Sequence, residues 1–324
     1  MIPAFNCAGY LRETLQSVLV QDPGPEQMQI EVVDDCSTDD DPEAVVRDVG
    51  RGRVCFYRQE SNVGHVRNFE TCLLRARGEL IHLLHGDDRV RPGFYTTLER
   101  PFGERPDIGA AFCRHICMDT DAHWLWLGPL LRDEPGVLEG ALIRIASRQP
   151  VMTPTVVVRR VVYERLGGFD RRMSYCGEDW EMWVRIAANY PVWYEPQPLA
   201  EYRRHRVSLT ARSIQTAENI RDIRRAVSIY RAYLPPADAA RVTRKALELS
   251  ATWGTGLAGE MLVAGNRRAA VAQVWEALRC SRSPRILSEV ASHGINGLSY
   301  WARRGIRALG SVATSTTPSE APHG

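Results

Sequence analysis

Two pairs of adjacent aspartates follow apolar runs. Asp34–Asp35 closes "IEVVDD" (residues 30–35), and Asp87–Asp88 follows "LIHLL" (80–84). Neighbouring carboxylates repel, so they need something positive between them. Two chemistries fit. Aspartate is common in turns where strands end, because its side chain bonds nearby backbone. Paired carboxylates also suit a hard divalent cation such as Mg or Mn, which keeps waters and bridges to a substrate's phosphates. A third acid pair, Glu178–Asp179, opens "GEDWEMWVRIAANYP", where acids complement the positive end of a helix.

These acids need elements to hold them. Leu11, Leu15, Val18 and Leu19 share one helical face, as do Val66, Phe69, Leu73 and Ala76. "IEVVDD", "VCFY" (54–57), "LIHLL" and "IGAAFC" (108–113) read as strands between helical patterns. That alternation predicts right-handed crossovers and a mainly parallel sheet. Met1 and Ile2 precede Pro3 directly, so the first strand is expected to be short, with the chain starting inside it. In open parallel sheets, ligands bind beyond the carboxyl ends of the strands, so both aspartate pairs are expected on one edge. "TPTVVVRRVVYERLGGFD" (153–170) predicts a strand, a short helix and a Gly-Gly stop. "VWYE" and "LAEYRRH" close this part as two strand-like segments. Beyond residue 208 the pattern is helical to about 309, with a break at Pro235-Pro236, and the Ser/Thr/Pro-rich residues 311–324 read as a disordered tail. The expected organisation is a catalytic unit over 1–210, a helical C-terminal region over 211–310 and the tail.

Composition narrows the field. The 324 residues carry a net charge of +2, which gives no reason to expect nucleic acid as a partner. Lys245 is the one lysine, so nearly every fixed cation is a guanidinium suited to phosphates and carboxylates. Eight cysteines form no CxxC pair, which predicts reduced thiols and a cytoplasmic location. Cys113, His115 and Cys117 would share a strand face, but no second ligand pair follows, and core packing is preferred. No apolar run reaches the roughly 18 residues of a membrane span.

The segments "IPAFNCAGYLRETLQSVLVQ", "IEVVDDCSTD", "NVGHVRN", "LLHGDDRVRPG" and "GEDWEMWVRI" occur in the order seen in family 2 glycosyltransferases, and residues 1–210 resemble that family. The resemblance implies a GT-A-type, Rossmann-like α/β fold and inverting transfer of a sugar from a nucleotide-diphosphate donor, UDP-type by expectation, to an acceptor hydroxyl. It implies that Pro3 to Asn6 lie on the nucleotide, with Phe5 against the base. Asp35, with Asp34, would bond the base or ribose, and Arg67 would help hold the nucleotide. Asp87 and Asp88 match the metal-binding DxD region for Mn or Mg, with Asp87 also facing the nucleotide. His205 matches a histidine that joins the metal or diphosphate. Asp179 matches the catalytic base; its place at a helix start suits this, since backbone N–H groups there orient a carboxylate and favour its ionised form. Glu178 and Trp180 are placed at the acceptor, Trp180 by stacking on a sugar ring. One departure stands out: His85 occupies the position where many members have the first aspartate of the DxD region.

Other readings stay in view. A nucleotidyltransferase would also use paired acids and a metal, but "NCAGYLRE" is a poor triphosphate loop, with one glycine and one arginine. A non-catalytic nucleotide- or carbohydrate-binding module is the other alternative. A dinucleotide dehydrogenase is disfavoured, since no GxGxxG follows a strand. His65 and His82 read as structural or solvated rather than as ligands. Trp124 and Trp126 suit either an acceptor cleft or core anchoring. Arg303–Arg307, near Tyr300 and Trp301, reads as a solvated helix face or a contact with an anionic membrane. The acceptor is expected to be a polysaccharide, a lipid-linked sugar or a small molecule.

Overall fold

A computed structural model of the chain describes residues 1–39, 41–205 and 208–292. The first half alternates as expected: β1 (Ile2–Ala4), α1 (Ala8–Leu19), β2 (Glu31–Asp34), α2 (Pro42–Gly50), β3 (Cys55–Arg58), α3 (His65–Arg75) and β4 (Leu80–His82). The strands β1, β2 and β3 pair in parallel. Backbone bonds carry the sheet on to β4 and the residues after it. Met1 N donates to His82 O (2.9 Å), Leu84 N to Met1 O (3.1 Å) and Gly86 N to Pro3 O (3.0 Å). The order β3-β2-β1-β4 therefore brings the residues after β2 and β4 to one edge.

Then follow β5 (Arg89–Val90), α4 (Phe94–Glu104), β6 (Ala110–Met118), β7 (Trp124–Leu127), β8 (Gly136–Val137), α5 (Ala141–Ser147), β9 (Val156–Arg159), α6 (Arg160–Leu166), α7 (Glu178–Asn189) and β10 (Val192–Arg203). This part departs from simple alternation. β9 pairs antiparallel with both β4 and β6, while β6 and β10 run parallel. The two segments expected near 192–205 are one strand, β10, whose register shifts between Glu195 and Ala200. Prolines at 196 and 198 interrupt the pattern there and produce that irregularity.

The sheet is covered on both faces. Leu11, Leu15, Val46, Leu98 and Phe102 pack from α1, α2 and α4 on one side. Phe69, Ile145, Val162, Trp183 and Ile186 pack from α3, α5, α6 and α7 on the other. Alternate residues of one strand serve the two cores: Val32 joins the first and Val33 the second. The C-terminal helices are α8 (Leu209–Thr216), α9 (Glu218–Tyr230), α10 (Pro236–Val263) and α11 (Arg267–Cys280). Ile223, Val227, Tyr230, Val242 and Ala246 of α9 and α10 belong to the same core as α7. The expected boundary near residue 210 therefore does not separate two cores. Cys113, His115 and Cys117 are buried core residues. Among the described residues no helix is long and apolar enough to cross a membrane. Arg303–Arg307 and the 311–324 tail lie outside the described residues.

Candidate active site

The loop after β1 carries the first predicted residues. Pro3 is buried in the strand and offers only its carbonyl, to Gly86 N. Phe5 is 40% exposed at the strand's end. Asn6 has φ 49°, a left-handed conformation that asparagine tolerates. Its Oδ1 accepts from Thr38 N (2.9 Å) and its N–H donates to Ser37 Oγ (2.9 Å), which ties this loop to the one after β2.

The first aspartate pair divides its labour. Asp34, expected at the nucleotide, is instead fully buried. It accepts from Ser37 N and Oγ and pairs with Arg58 (3.2 Å), so it shapes the turn from beneath. Asp35 accepts from Val63 N (2.7 Å) and Gly64 N (2.9 Å), just before α3. Burial raises its pKa despite these bonds, and each oxygen keeps a lone pair for a further donor. Arg67 lies exposed on the first turns of α3.

The second pair forms a tight cluster. His85, Asp87 and Asp88 each offer a ligand atom within 4.8 Å of the others. Asp88 Oδ1 accepts from Arg203 N (2.8 Å), and Oδ2 lies 3.4 Å from His85 Nδ1. Asp87 Oδ2 meets His205 Nε2 at 2.8 Å. Burial pushes the Asp88 carboxyl up to about 6. Burial acts the same way on Asp87, but the bond to His205 and the charge of His85 outweigh it, and its pKa is lowered. Thr14 Oγ1 lies 2.8 Å from Asp88 O and 3.0 Å from Gly86 O, its one proton shared between them, fixing the turn. Arg203, fully buried, donates to Asp87 O (2.9 Å) and to Glu13 (2.7 Å).

This cluster fits a divalent cation. Asp88 Oδ2 is buried with no hydrogen-bond partner, and such an orphaned atom is costly unless something completes it. The carboxylate oxygens of Asp87 and Asp88 are donors suited to Mn or Mg.

The third acid pair sits at the start of α7, after Gly177 at φ 89°. Asp179 Oδ2 accepts from Gln149 Nε2 (2.7 Å) and Oδ1 from Trp180 N (2.7 Å). The surroundings do not favour the ionised form as strongly as expected. Burial, then the charge of Glu178, raises the Asp179 pKa to about 7. Asp179 and His85 also act on each other's ionisation through their charges. Glu178 is turned to His65 (3.2 Å) and buried. Burial opposes its ionisation, yet His65 brings its pKa down.

Trp180 does not offer the stacking surface expected of it. It is 3% exposed, donates from Nε1 to Ile145 O (2.6 Å) and packs against Tyr230. Helical periodicity explains this: Trp180 shares the buried face with Trp183 and Val184. On β7, Trp124 (57%) and Trp126 (47%) are exposed, beneath the guanidinium groups of Arg91 and Arg204. Core anchoring is thereby excluded for both. Glu13, Gln149 and Arg203 were not anticipated. Their only sequence signal is their residue type.

The family model of glycosyl transferase family 2 matches residues 1–161. The chain is 33% identical over 235 residues to an uncharacterised Mycobacterium tuberculosis protein, MT1568, covering 69% of this chain and 72% of that one. Among solved structures it resembles S. aureus TarS 1–349 in complex with UDP-GlcNAc, with TM-score 0.63 and 15% identity over 94% of this chain and 90% of that one. A longer TarS structure is covered to 53% of its chain. It also resembles the mannosyltransferase PcManGT from Pyrobaculum calidifontis in complex with GDP-Man and Mn2+, with TM-score 0.57 and 18% identity over 92% and 84%. The chain belongs to glycosyl transferase family 2, and it is a glycosyltransferase with the GT-A fold.

Proposed function

We propose that this enzyme transfers a sugar, with inversion and with a divalent metal, from a nucleotide-diphosphate donor of UDP type to an acceptor hydroxyl. The observation that carries the reading is the pairing of two opposite devices. One is a cluster of anionic and imidazole ligands with unpartnered buried atoms. The other is a single carboxyl, Asp179, whose pKa is raised to about 7.

The β1 and β2 loops suit the nucleotide: Phe5 for the base, Asp35 and the residues before α3 for the ribose, Arg67 at the rim. Bound Mn or Mg would be held by Asp87 and Asp88 with His205, His85 standing beside them, and would supply positive charge where the diphosphate departs. Asp179 takes the proton of the attacking hydroxyl. A carboxyl with a pKa near working pH is a better proton acceptor than an ordinary aspartate, and such a base is worth about 10²–10⁴-fold in rate. Inversion is the reading that a single base supports. A double displacement needs a second one as nucleophile, and Glu178 is committed to His65. Trp124 and Trp126 are offered as the acceptor-side aromatics in place of Trp180. The solved relatives bound to UDP-GlcNAc and to GDP-Man with Mn2+ support the donor class.

The test is a thermal-shift screen of nucleoside diphosphates and nucleotide sugars with and without Mn, followed by turnover with any stabilising donor. A donor that binds the native state raises Tm by mass action. Asp179→Asn is expected to abolish transfer while donor binding survives. Full activity of that variant would refute the role of Asp179.

A further inference from the structure

The loop that delivers Asp179 is held by the C-terminal helices. Ser174 N and Tyr175 N both donate to Asp222 Oδ2 of α9, at 2.8 and 2.9 Å. Asp222 is 1% exposed, so these bonds are made away from water. Its other oxygen meets Arg225 (3.2 Å), which also donates to Arg172 O. Two residues after Tyr175, Gly177 turns the chain into α7 at φ 89°. A Cβ there would lie 3.1 Å from Ala226 Cβ and 3.5 Å from Asp222 O, so α9 lies directly against the turn. Tyr230 of α9 also donates to Ala146 O (2.8 Å), near Gln149, the side chain that bonds Asp179.

We propose that Asp222 is a positioning residue for the catalytic base: by accepting two backbone hydrogen bonds from residues 174 and 175 it fixes the loop that aims Asp179. The C-terminal helices are then a working part of the active site. Buried charge-assisted bonds to backbone N–H groups are strong and directional. A base misplaced by about 1 Å loses on the order of 100-fold in rate. This proposal rests on Asp179 being the base.

The experiment uses the full chain with Asp222→Ala, Asp222→Asn, Arg225→Ala, Asp179→Asn and the Asp222→Ala/Asp179→Asn double variant. Amide exchange is followed over residues 170–178, and UDP release from UDP-N-acetylglucosamine with Mn2+ is timed. Asp222→Ala is expected to speed exchange at Ser174 and Tyr175 and to lower kcat by about 10- to 100-fold, with donor KM unchanged. Asp222→Asn, which keeps an oxygen able to accept both bonds, restores most of the rate. Arg225→Ala alters an exposed side chain and folds normally; it gives the same kcat-only signature at smaller amplitude. In the Asp179→Asn background, the residual UDP release is not lowered further by loss of Asp222, because both changes remove one function. The proposal is overturned if wild-type Ser174 and Tyr175 amides exchange without protection. It also falls if neither Asp222→Ala nor Arg225→Ala changes kcat, if kcat and donor affinity fall together, or if the full cost persists in the Asp179→Asn background. A fully active Asp179→Asn enzyme would instead bring down the reading of the base itself.

Discussion

Asp179 and Glu178 are neighbours in sequence whose pKa values shift in opposite directions. His65 keeps Glu178 charged, and that charge, after burial, helps raise Asp179 to about 7. A base works only when deprotonated, so kcat/KM is expected to rise with pH through about 7 and to fall off below it. Glu178→Gln removes the repulsive charge and should move that acid limb to lower pH. An unmoved limb would mean the titrating group is elsewhere. Stability should run the other way. Because the folded pKa of Asp179 lies above the ordinary aspartate value, the fold binds this proton more tightly than the unfolded chain does. That contribution is fully present at low pH and is lost as pH rises through about 7. Asp87, bonded to His205 at 2.8 Å, offers a separate test. Asp87→Ala should abolish the manganese-dependent part of the thermal shift given by a nucleoside diphosphate.

The elements show what sequence patterns reveal and hide. The β-α alternation up to residue 84 was legible because buried parallel strands read as apolar runs. The aspartate pairs were legible because they are adjacent in sequence and end such runs. β5 and β8, at two residues each, leave no periodic trace. Continuous β10 was read as two segments because Pro196 and Pro198 break its pattern. Arg203, Gln149 and Asp222 act across separations of 30 to 190 residues, which no local motif encodes. The raised pKa of Asp179 is hidden for a related reason: helix position is visible in sequence, whereas burial is not. At the junction of β1 with the loop after β4, a Cβ on Gly86 would lie 2.6 Å from Cys7 Sγ. Gly86→Ala should therefore cost about 1–3 kcal/mol, seen as a lower Tm, and Cys7→Ala should recover part of it.

Across the whole molecule, one core runs from α3 and α7 into α9 and α10. Tyr230 stitches it by donating to Ala146 O from a fully buried position. Tyr230→Phe leaves that carbonyl unpaired and should cost about 1–3 kcal/mol in chemical denaturation. The unfolding transition should remain a single one, since the packing is shared. Two transitions would show that the helices melt apart from the sheet.

The grip of α9 on the segment before Gly177 bears on how such enzymes diversify. A chimera that borrows a relative's last hundred residues would import more than a new docking cap. It would import a foreign hand on its own proton acceptor, so turnover would travel with the graft along with any change of partner.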